Sequence, residues 1–204
     1  METPLTKLLG CRYPVIQTAM GWVADAGLVS ATCKAGGFGF LAGAVMTPEE
    51  VEQGILQIKS ATDQPFGVNF HMYTQGAGEI IDICIRHQVR AVSYSRSPDA
   101  SSVEKLKAAG IVCIPTVGAL KHAVKAVALG ADAVVVQGGE GGGHTGKVAS
   151  TILLPQVVAA LDVPVVAAGG FKDGRGLVAA LSLGAAGIAM GPRFLLTQES
   201  PVPL

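Results

Sequence analysis

Residues 134–147, VVVQGGEGGGHTGK, join three consecutive valines to a loop that is almost entirely glycine. Five of the six residues from 138 to 143 are glycine, and Glu140 is the sixth. Glycine loses more conformational entropy on folding than any other residue, so such a run is costly unless another group must approach the main chain closely. The stretch therefore predicts a buried strand that ends at a ligand-binding loop.

Other short runs along the chain share the apolar character of these valines. Their apolar residues are continuous rather than alternating, which is typical of strands that are covered on both faces. Together they predict strands at residues 14–20, 38–43, 66–70, 91–95, 111–116, 133–137, 164–169 and 187–191.

Amphipathic helical segments separate these strands. The clearest spans residues 47–61, where Thr47 and Glu50 match a capping box and Pro48 occupies the first helical position. Strand–helix units that repeat every 20 to 30 residues or so predict an α/β fold, a (β/α)8 TIM barrel, in one domain at residues 1–204. A doubly wound open sheet is the alternative, but such sheets more often have about five or six strands.

The end of the chain departs from a complete barrel. Only 13 residues, PRFLLTQESPVPL, follow the last predicted strand. They are too few and too rich in proline for a full eighth helix. We therefore expect a barrel that lacks this helix and its C-terminal portion, with apolar side chains that are exposed on strands eight and one or are covered by a neighbouring chain or by the tail TQESPVPL.

Composition excludes several classes of function. Lys and Arg together number 15 and so do Asp and Glu, which leaves no basic surface for nucleic acid or acidic membranes. The four cysteines form no CxxC pair and lie in apolar segments, so we expect reduced thiols and a cytoplasmic protein. The chain has no signal peptide pattern and no apolar run of about 18 residues, and we expect no membrane span.

The ends of the predicted strands indicate where the chemistry lies, because the active sites of such barrels are built from the loops that follow the strands. The turns AAGGFKDG and AMGPRF follow strands seven and eight, where barrels commonly bind a phosphate group. The two turns together favour a phosphorylated ligand over mere tight packing.

Among the four histidines, His144 is the candidate for proton exchange. Its neighbours are mostly glycines, which offer no side chains for a packed histidine, and imidazole exchanges protons near neutral pH. His87 and His122 lie on helical segments and are expected to be exposed, whereas His71 follows the third strand with no role decided. Glu140 either orients the glycine loop or is simply solvated. No group of residues has metal-ligand spacing, so no metal is expected.

Five segments carry a resemblance to a known family. PVIQTAMGWVADAGLVSATCKAGGFGFL, FGVNF, VVQGGEGGGHTG, PVVAAGGFKDGRG and GIAMGPRFL, in this order, resemble the nitronate monooxygenase family. That family was formerly called the 2-nitropropane dioxygenases and includes the FMN-dependent enoyl-ACP reductases. GWVADAGLVSAT and GGEGGGHTG are most similar to a subgroup that acts on CoA thioesters of partly degraded steroid rings.

The resemblance implies one FMN at the mouth of the barrel. The cofactor-binding positions that it implies are Ala19, Met20, Gly21, Asn69, Gln137, Gly142, Gly143, Gly169, Gly170 and Gly191. The first three lie against the flavin ring, the last three hold the phosphate, and His144 is the catalytic residue on the substrate side. The family commonly has threonine where this chain has Pro192, which has neither an N–H nor a hydroxyl to donate, so FMN binding is expected to be weaker.

The leading functional prediction is an FMN-dependent oxidoreductase that oxidises alkyl nitronates with O2. The alternative is an FMN-dependent reductase of an activated C=C bond in an acyl thioester of CoA or ACP. Either takes a small-molecule substrate, and an NAD(P)H donor and a homo-oligomer are left open. Two alternatives from other classes remain, a flavin-free phosphate-binding lyase or isomerase and an inactive fragment. The lyase or isomerase is weakened because no lysine ends a strand to serve as a Schiff-base nucleophile.

Overall fold

A closed parallel barrel forms the centre of the molecule in the computed structural model, which describes residues 1–95, 100–143 and 146–202. Each strand pairs in parallel with the next in the sequence, and the first pairs with the last. The strands are β1 Val15–Gln17, β2 Phe38–Leu41, β3 Gly67–Asn69, β4 Ala91–Ser95, β5 Val112–Val117, β6 Val134–Gln137, β7 Val165–Ala168 and β8 Gly187–Met190. The predicted (β/α)8 fold is confirmed.

Helices surround the barrel, and one of them follows each of the first seven strands. They are α1 Pro4–Leu9, α2 Ala26–Lys34, α3 Pro48–Ala61, α4 Ala77–Arg86, α5 Ala100–Ala108, α6 Leu120–Ala128, α7 Ser150–Ala160, α8 Gly174–Ser182 and α9 Pro192–Leu195. A 3₁₀ turn, Gly43–Val45, precedes α3.

Helix α3 illustrates how local sequence positions these elements. The Thr47 side chain accepts a hydrogen bond from the Glu50 N–H at 3.3 Å, and the Glu50 carboxylate accepts one from the Thr47 N–H at 2.8 Å. Val51, Ile55 and Ile58 recur at helical spacing and are fully buried against the barrel. The predicted capping box and apolar face are both confirmed.

The N-terminal end of the barrel is closed by α1, a helix that sequence analysis did not predict. Thr3 and Thr6 form its capping box, and its Leu5 and Leu9 are fully buried. These leucines join the cluster that fills the barrel interior, which includes Ile16, Phe38, Phe40, Ile114 and Val166. The helix therefore acts as an apolar plug at the end of the barrel where the strands begin.

After β8 the described residues contain only α9, a helix of four residues. Of the outcomes expected for strand β8, exposed side chains are not observed, since Ile188 is 1% and Met190 9% exposed. Helix α8 and the half-buried Phe194 pack on that side and cover the strand. The exposed apolar side chains lie instead on the covering segments, at Val178 (62%) and Leu196 (65%).

The cysteines are free thiols, as predicted. Burial raises the pKa of Cys33 to about 11 and that of Cys84 to about 12, so both thiols stay protonated and unreactive at neutral pH. Within the described ranges, no helix is long and apolar enough to cross a bilayer.

Candidate active site

A cavity of about 820 Å³ opens at the C-terminal end of the strands. All ten predicted cofactor-binding positions line it: Ala19, Met20, Gly21, Asn69, Gln137, Gly142, Gly143, Gly169, Gly170 and Gly191. They come from the ends of β1, β3, β6, β7 and β8, which the closed barrel brings to one place although they are far apart in the sequence.

The glycine loop after β6 is held by its own hydrogen bonds. The Gly139 N–H donates to the Val148 carbonyl at 2.8 Å, and the Gly141 N–H donates to the Gly138 carbonyl at 3.1 Å. The Gln137 side chain donates to the Gly142 carbonyl at 2.6 Å. A side chain at Gly141 would place its Cβ 2.4 Å from the Gln137 amide nitrogen, so glycine is required for this bond.

Glu140 is not simply solvated, although its residue surface is exposed. Its carboxylate accepts hydrogen bonds from the Ser150 N–H at 3.0 and 3.1 Å and from the Ser150 hydroxyl at 2.9 Å. Partial burial raises the pKa of Glu140, but hydrogen bonds from its own backbone and from Ser150 outweigh this effect, and the pKa lies below its usual value. Of the two interpretations left open by the sequence, the structure supports the orienting one.

The turn after β7 packs directly against the glycine loop. Gly169 and Gly170 have φ angles of +94° and +80°, a conformation that favours glycine. A Cβ on Gly169 would lie 3.0 Å from the Gly141 nitrogen and 3.1 Å from the Gly138 oxygen. The two segments of main chain therefore touch without intervening side chains.

The turn after β8 packs in the same way against the segment after β1. The Thr18 N–H donates to the Met190 carbonyl at 3.0 Å, and a Cβ on Gly191 would lie 3.1 Å from the Thr18 hydroxyl and 3.4 Å from the Met20 sulfur. Within the described residues, the N–H groups of Gly170 and Gly191 donate to no carbonyl or side-chain oxygen. They are available to an acceptor in the cavity.

Two cations lie beside these turns. Lys172 and Arg193 line the cavity, both are exposed, and neither forms an ion pair with another described residue. The positions predicted from the sequence include Gly170 and Gly191 but not Lys172. Its position two residues after the glycine pair was the available signal, since a cation there lies beside any anion on the turn.

The opposite wall of the cavity contains a small polar pair. The Asn69 side chain donates to the Ser93 carbonyl at 3.1 Å and contacts the Ser93 hydroxyl at 3.2 Å. These bonds fix the amide so that its oxygen is free to accept a bond, because both contacts use the NH2 group.

The histidines differ from one another in their surroundings. His144, the predicted catalytic residue, lies outside the described residues and remains a prediction. His122 is exposed, as expected. The expectation for His87 is wrong: its side chain is only 16% exposed and forms a 2.6 Å hydrogen bond with Glu52 on the adjacent helix α3. His71 stacks on Tyr73 and contacts the Ser95 hydroxyl at 3.3 Å.

Fold and cavity together define a parallel (β/α)8 barrel with a glycine-lined site at the mouth, the arrangement of barrel enzymes. A family model described as nitronate monooxygenase matches residues 2–204. The chain belongs to the nitronate monooxygenase family, a family of oxidoreductases.

Two curated relatives and one solved structure give the range of similarity. A relative from Rhodococcus jostii (strain RHA1) named (3aS,4S,5R,7aS)-5-hydroxy-7a-methyl-1-oxo-octahydro-1H-indene-4-carboxyl-CoA dehydrogenase is 59% identical over 203 residues, covering 100% of this chain. A probable nitronate monooxygenase from Staphylococcus saprophyticus is 33% identical over 247 residues, covering 98% of this chain and 70% of the relative. The structure of FabK from Thermotoga maritima has a TM-score of 0.96 and 35% identity, covering 100% of this chain and 65% of FabK.

The chain spans 58% of the length of the Rhodococcus relative. The identity to the CoA thioester dehydrogenase, 59%, is well above the 33% to the nitronate monooxygenase. Both relatives are oxidoreductases by name, which supports the predicted class of enzyme.

Proposed function

We propose that this chain forms the FMN-binding barrel of an oxidoreductase that dehydrogenates a CoA thioester of a bicyclic ring acid. The observation that carries the proposal is the 59% identity, along the whole chain, to a dehydrogenase of such a thioester. Nitronate oxidation is the second candidate and rests on the more distant relative.

The cavity fits a flavin mononucleotide. Its mouth is lined by small residues where larger side chains would fill the space, and Cβ atoms added at Gly142 and Gly143 would meet no described atom within 4 Å. The unpaired N–H groups of Gly170 and Gly191 and the nearby Lys172 suit one phosphate group. The letters GxGxxG occur at residues 141–146, but they do not lead directly from a strand into a helix as a dinucleotide fingerprint does, because β6 ends at Gln137 and α7 begins at Ser150. This supports FMN rather than FAD.

Particular residues would hold this cofactor. Ala19, Met20 and Gly21 would lie against its ring, and the carbonyl of the Asn69 side chain is free to accept a bond from it. Pro192 offers the phosphate no N–H, so the binding must depend on its neighbours Gly191 and Arg193. When bound, FMN supplies the acceptor for the two electrons that leave the substrate.

The remaining requirement is a base for the proton. The carbon next to a thioester carbonyl is acidified by that carbonyl, and dehydrogenation removes a proton there and a hydride from the following carbon, leaving a C=C bond. We assign the proton to His144, because a neutral imidazole accepts protons near pH 7. Addition of a proton and a hydride to the C=C bond is the reduction that the sequence left as an alternative. The redox partner of the flavin determines in which direction the reaction runs.

The test compares substrates under anaerobic conditions in two proteins. One is the chain itself, and the other is a chimera in which the C-terminal part of the Rhodococcus relative follows it. Both are loaded with FMN, and bleaching of the visible flavin band is followed after addition of the thioester, the free acid or a nitronate. We expect rapid bleaching by the thioester and a product two hydrogens lighter by mass spectrometry.

Matched controls are the full Rhodococcus relative and the same relative shortened to the segment that this chain matches. If the full relative is reduced by the thioester while the chimera turns over only nitronates with O2, the substrate proposal is wrong. If FMN is not retained by either form of this protein, the cofactor proposal is wrong, and a flavin-free barrel enzyme becomes the better interpretation.

A further inference from the structure

Three segments of main chain meet beside the cavity at one serine hydroxyl. Ser150 begins helix α7 and is only 4% exposed. Its hydroxyl oxygen lies 2.9 Å from the Glu140 carboxylate, 3.0 Å from the Gly169 carbonyl and 3.3 Å from the Ala168 carbonyl. The serine thus joins the glycine loop, the start of α7 and the turn after β7.

A hydroxyl has a single hydrogen to donate, whereas three acceptors surround this one. The carboxylate is the strongest acceptor, and it also receives the Ser150 N–H, so Glu140 holds the serine through two groups. The Gly169 carbonyl remains within reach of the same hydroxyl. Movement of Glu140 therefore changes the contact between Ser150 and the turn.

Close packing around the pair leaves no room for a side chain at position 138. A Cβ on Gly138 would lie 2.1 Å from the Ser150 hydroxyl and 2.5 Å from the Glu140 carboxylate. The Gly138 N–H donates to the Ala168 carbonyl at 3.0 Å, so the loop is also bonded to the end of β7. Glycine at 138 permits the loop, the pair and the strand end to touch.

We propose that Glu140 and Ser150 are positioning residues that hold the Gly169–Gly170 turn in its ligand-binding arrangement before the cofactor arrives. The proposal rests on the proposed function, because it assigns this turn to the phosphate of FMN. A turn that is already ordered loses little conformational entropy on binding, so the pair increases cofactor affinity through the turn.

The first measurement uses the flavin-free chain and hydrogen exchange of the bonded Gly138 and Gly139 amides. Neither amide donates to Glu140, so a change reports the loop as a whole rather than the lost bond. Glu140→Ala should raise both exchange rates, and Ser150→Ala should do the same.

Glu50→Ala is the matched control. Glu50 also accepts a backbone N–H at the start of a helix, at 2.8 Å, but it lies on α3, away from the glycine loop. Both glutamate variants should lose similar thermal stability. Only Glu140→Ala should raise the dissociation constant for FMN, by roughly 3- to 30-fold, the range expected for losing a partly solvated charge-assisted bond.

Unchanged exchange at Gly138 and Gly139 in both Glu140→Ala and Ser150→Ala would overturn the proposal. An equal loss of FMN affinity in Glu50→Ala would overturn it as well, because the effect would then follow from general destabilisation. If the unmodified chain binds no FMN, the proposed function fails, and the exchange rates in the flavin-free protein still decide whether the pair orders the loop.

Discussion

At the N-terminal end of the barrel, α1 inserts Leu5 and Leu9 among the interior side chains, and both are fully buried. At the C-terminal end the same strands open into a cavity of about 820 Å³. One end is held by apolar burial, and the other is shaped by main chain and hydrogen bonds. The difference shows how one barrel separates the residues that stabilise it from those that line its cavity.

The largest expected effect belongs to the open end. His144→Ala should lower turnover of the thioester by about 10²- to 10⁴-fold, the usual contribution of a general acid or base. Its melting temperature should match that of the unmodified protein, since the residue is assigned to chemistry and not to packing. Steady-state kinetics of the FMN-loaded protein, with the exposed His122→Ala as control, provide the measurement. Full turnover in His144→Ala would remove the residue from the mechanism.

The closed end should show the opposite behaviour. Leu5→Ala removes a fully buried side chain and should reduce the free energy of unfolding by about 3–5 kcal/mol, as in other buried leucine truncations. FMN affinity of the folded fraction should be unchanged. Urea denaturation and flavin titration test both statements, with the half-exposed Leu56→Ala as control. A large loss of FMN affinity at low urea would contradict the separation of the two ends.

Two glycine substitutions compare the ends directly. Gly169 and Gly110 both have positive φ, +94° and +76°, so alanine at either strains the backbone by about 1–2 kcal/mol. A Cβ at Gly110 meets no atom within 4 Å, whereas one at Gly169 lies 3.0 Å from the Gly141 nitrogen. Gly169→Ala should therefore raise the dissociation constant for FMN at least about tenfold more than Gly110→Ala does, although both variants carry similar backbone strain. Equal FMN affinities in the two variants would show that the contact between loop and turn is unimportant.

The smallest expected effect is a dependence on pH. Hydrogen bonds from the Arg175 side chain, together with those from the backbone of Arg175 and Gly176, hold the pKa of Asp173 at about 2, below its ordinary value of 3.8. Because the folded pKa is the lower one, its stabilising contribution is present above about pH 4 and is lost as the pH falls toward 2. Asp173→Asn should melt at a slightly lower temperature than the unmodified chain at pH 6, and the difference should shrink as the pH falls through the folded pKa of about 2. A difference that stays constant with pH would show that the aspartate acts only as a neutral cap.

Much of the architecture was predictable because its signals are local. The valines before the glycine loop, the capping box at Thr47 and the glycine pair at 169–170 each act within a few residues of the chain. Barrel closure then follows from the repeat, and it brings the predicted cofactor positions to one cavity. The family was likewise evident from short segments in a fixed order.

Other features depended on contacts between distant segments. The sequence contains α1 and its caps, but only the folded barrel gives Leu5 an interior to fill. The sequence alone is compatible with a solvated Glu140, whereas the fold places Ser150 beside its carboxylate and the Gly169 carbonyl beside the Ser150 hydroxyl. Hydrogen-bond partners and burial are properties of distance in space, which spacing along the chain does not determine. The sequence by itself therefore determined the strands, the helices between them and the glycine turns that line the cavity, and the tertiary structure decided which side chains form hydrogen bonds to those turns.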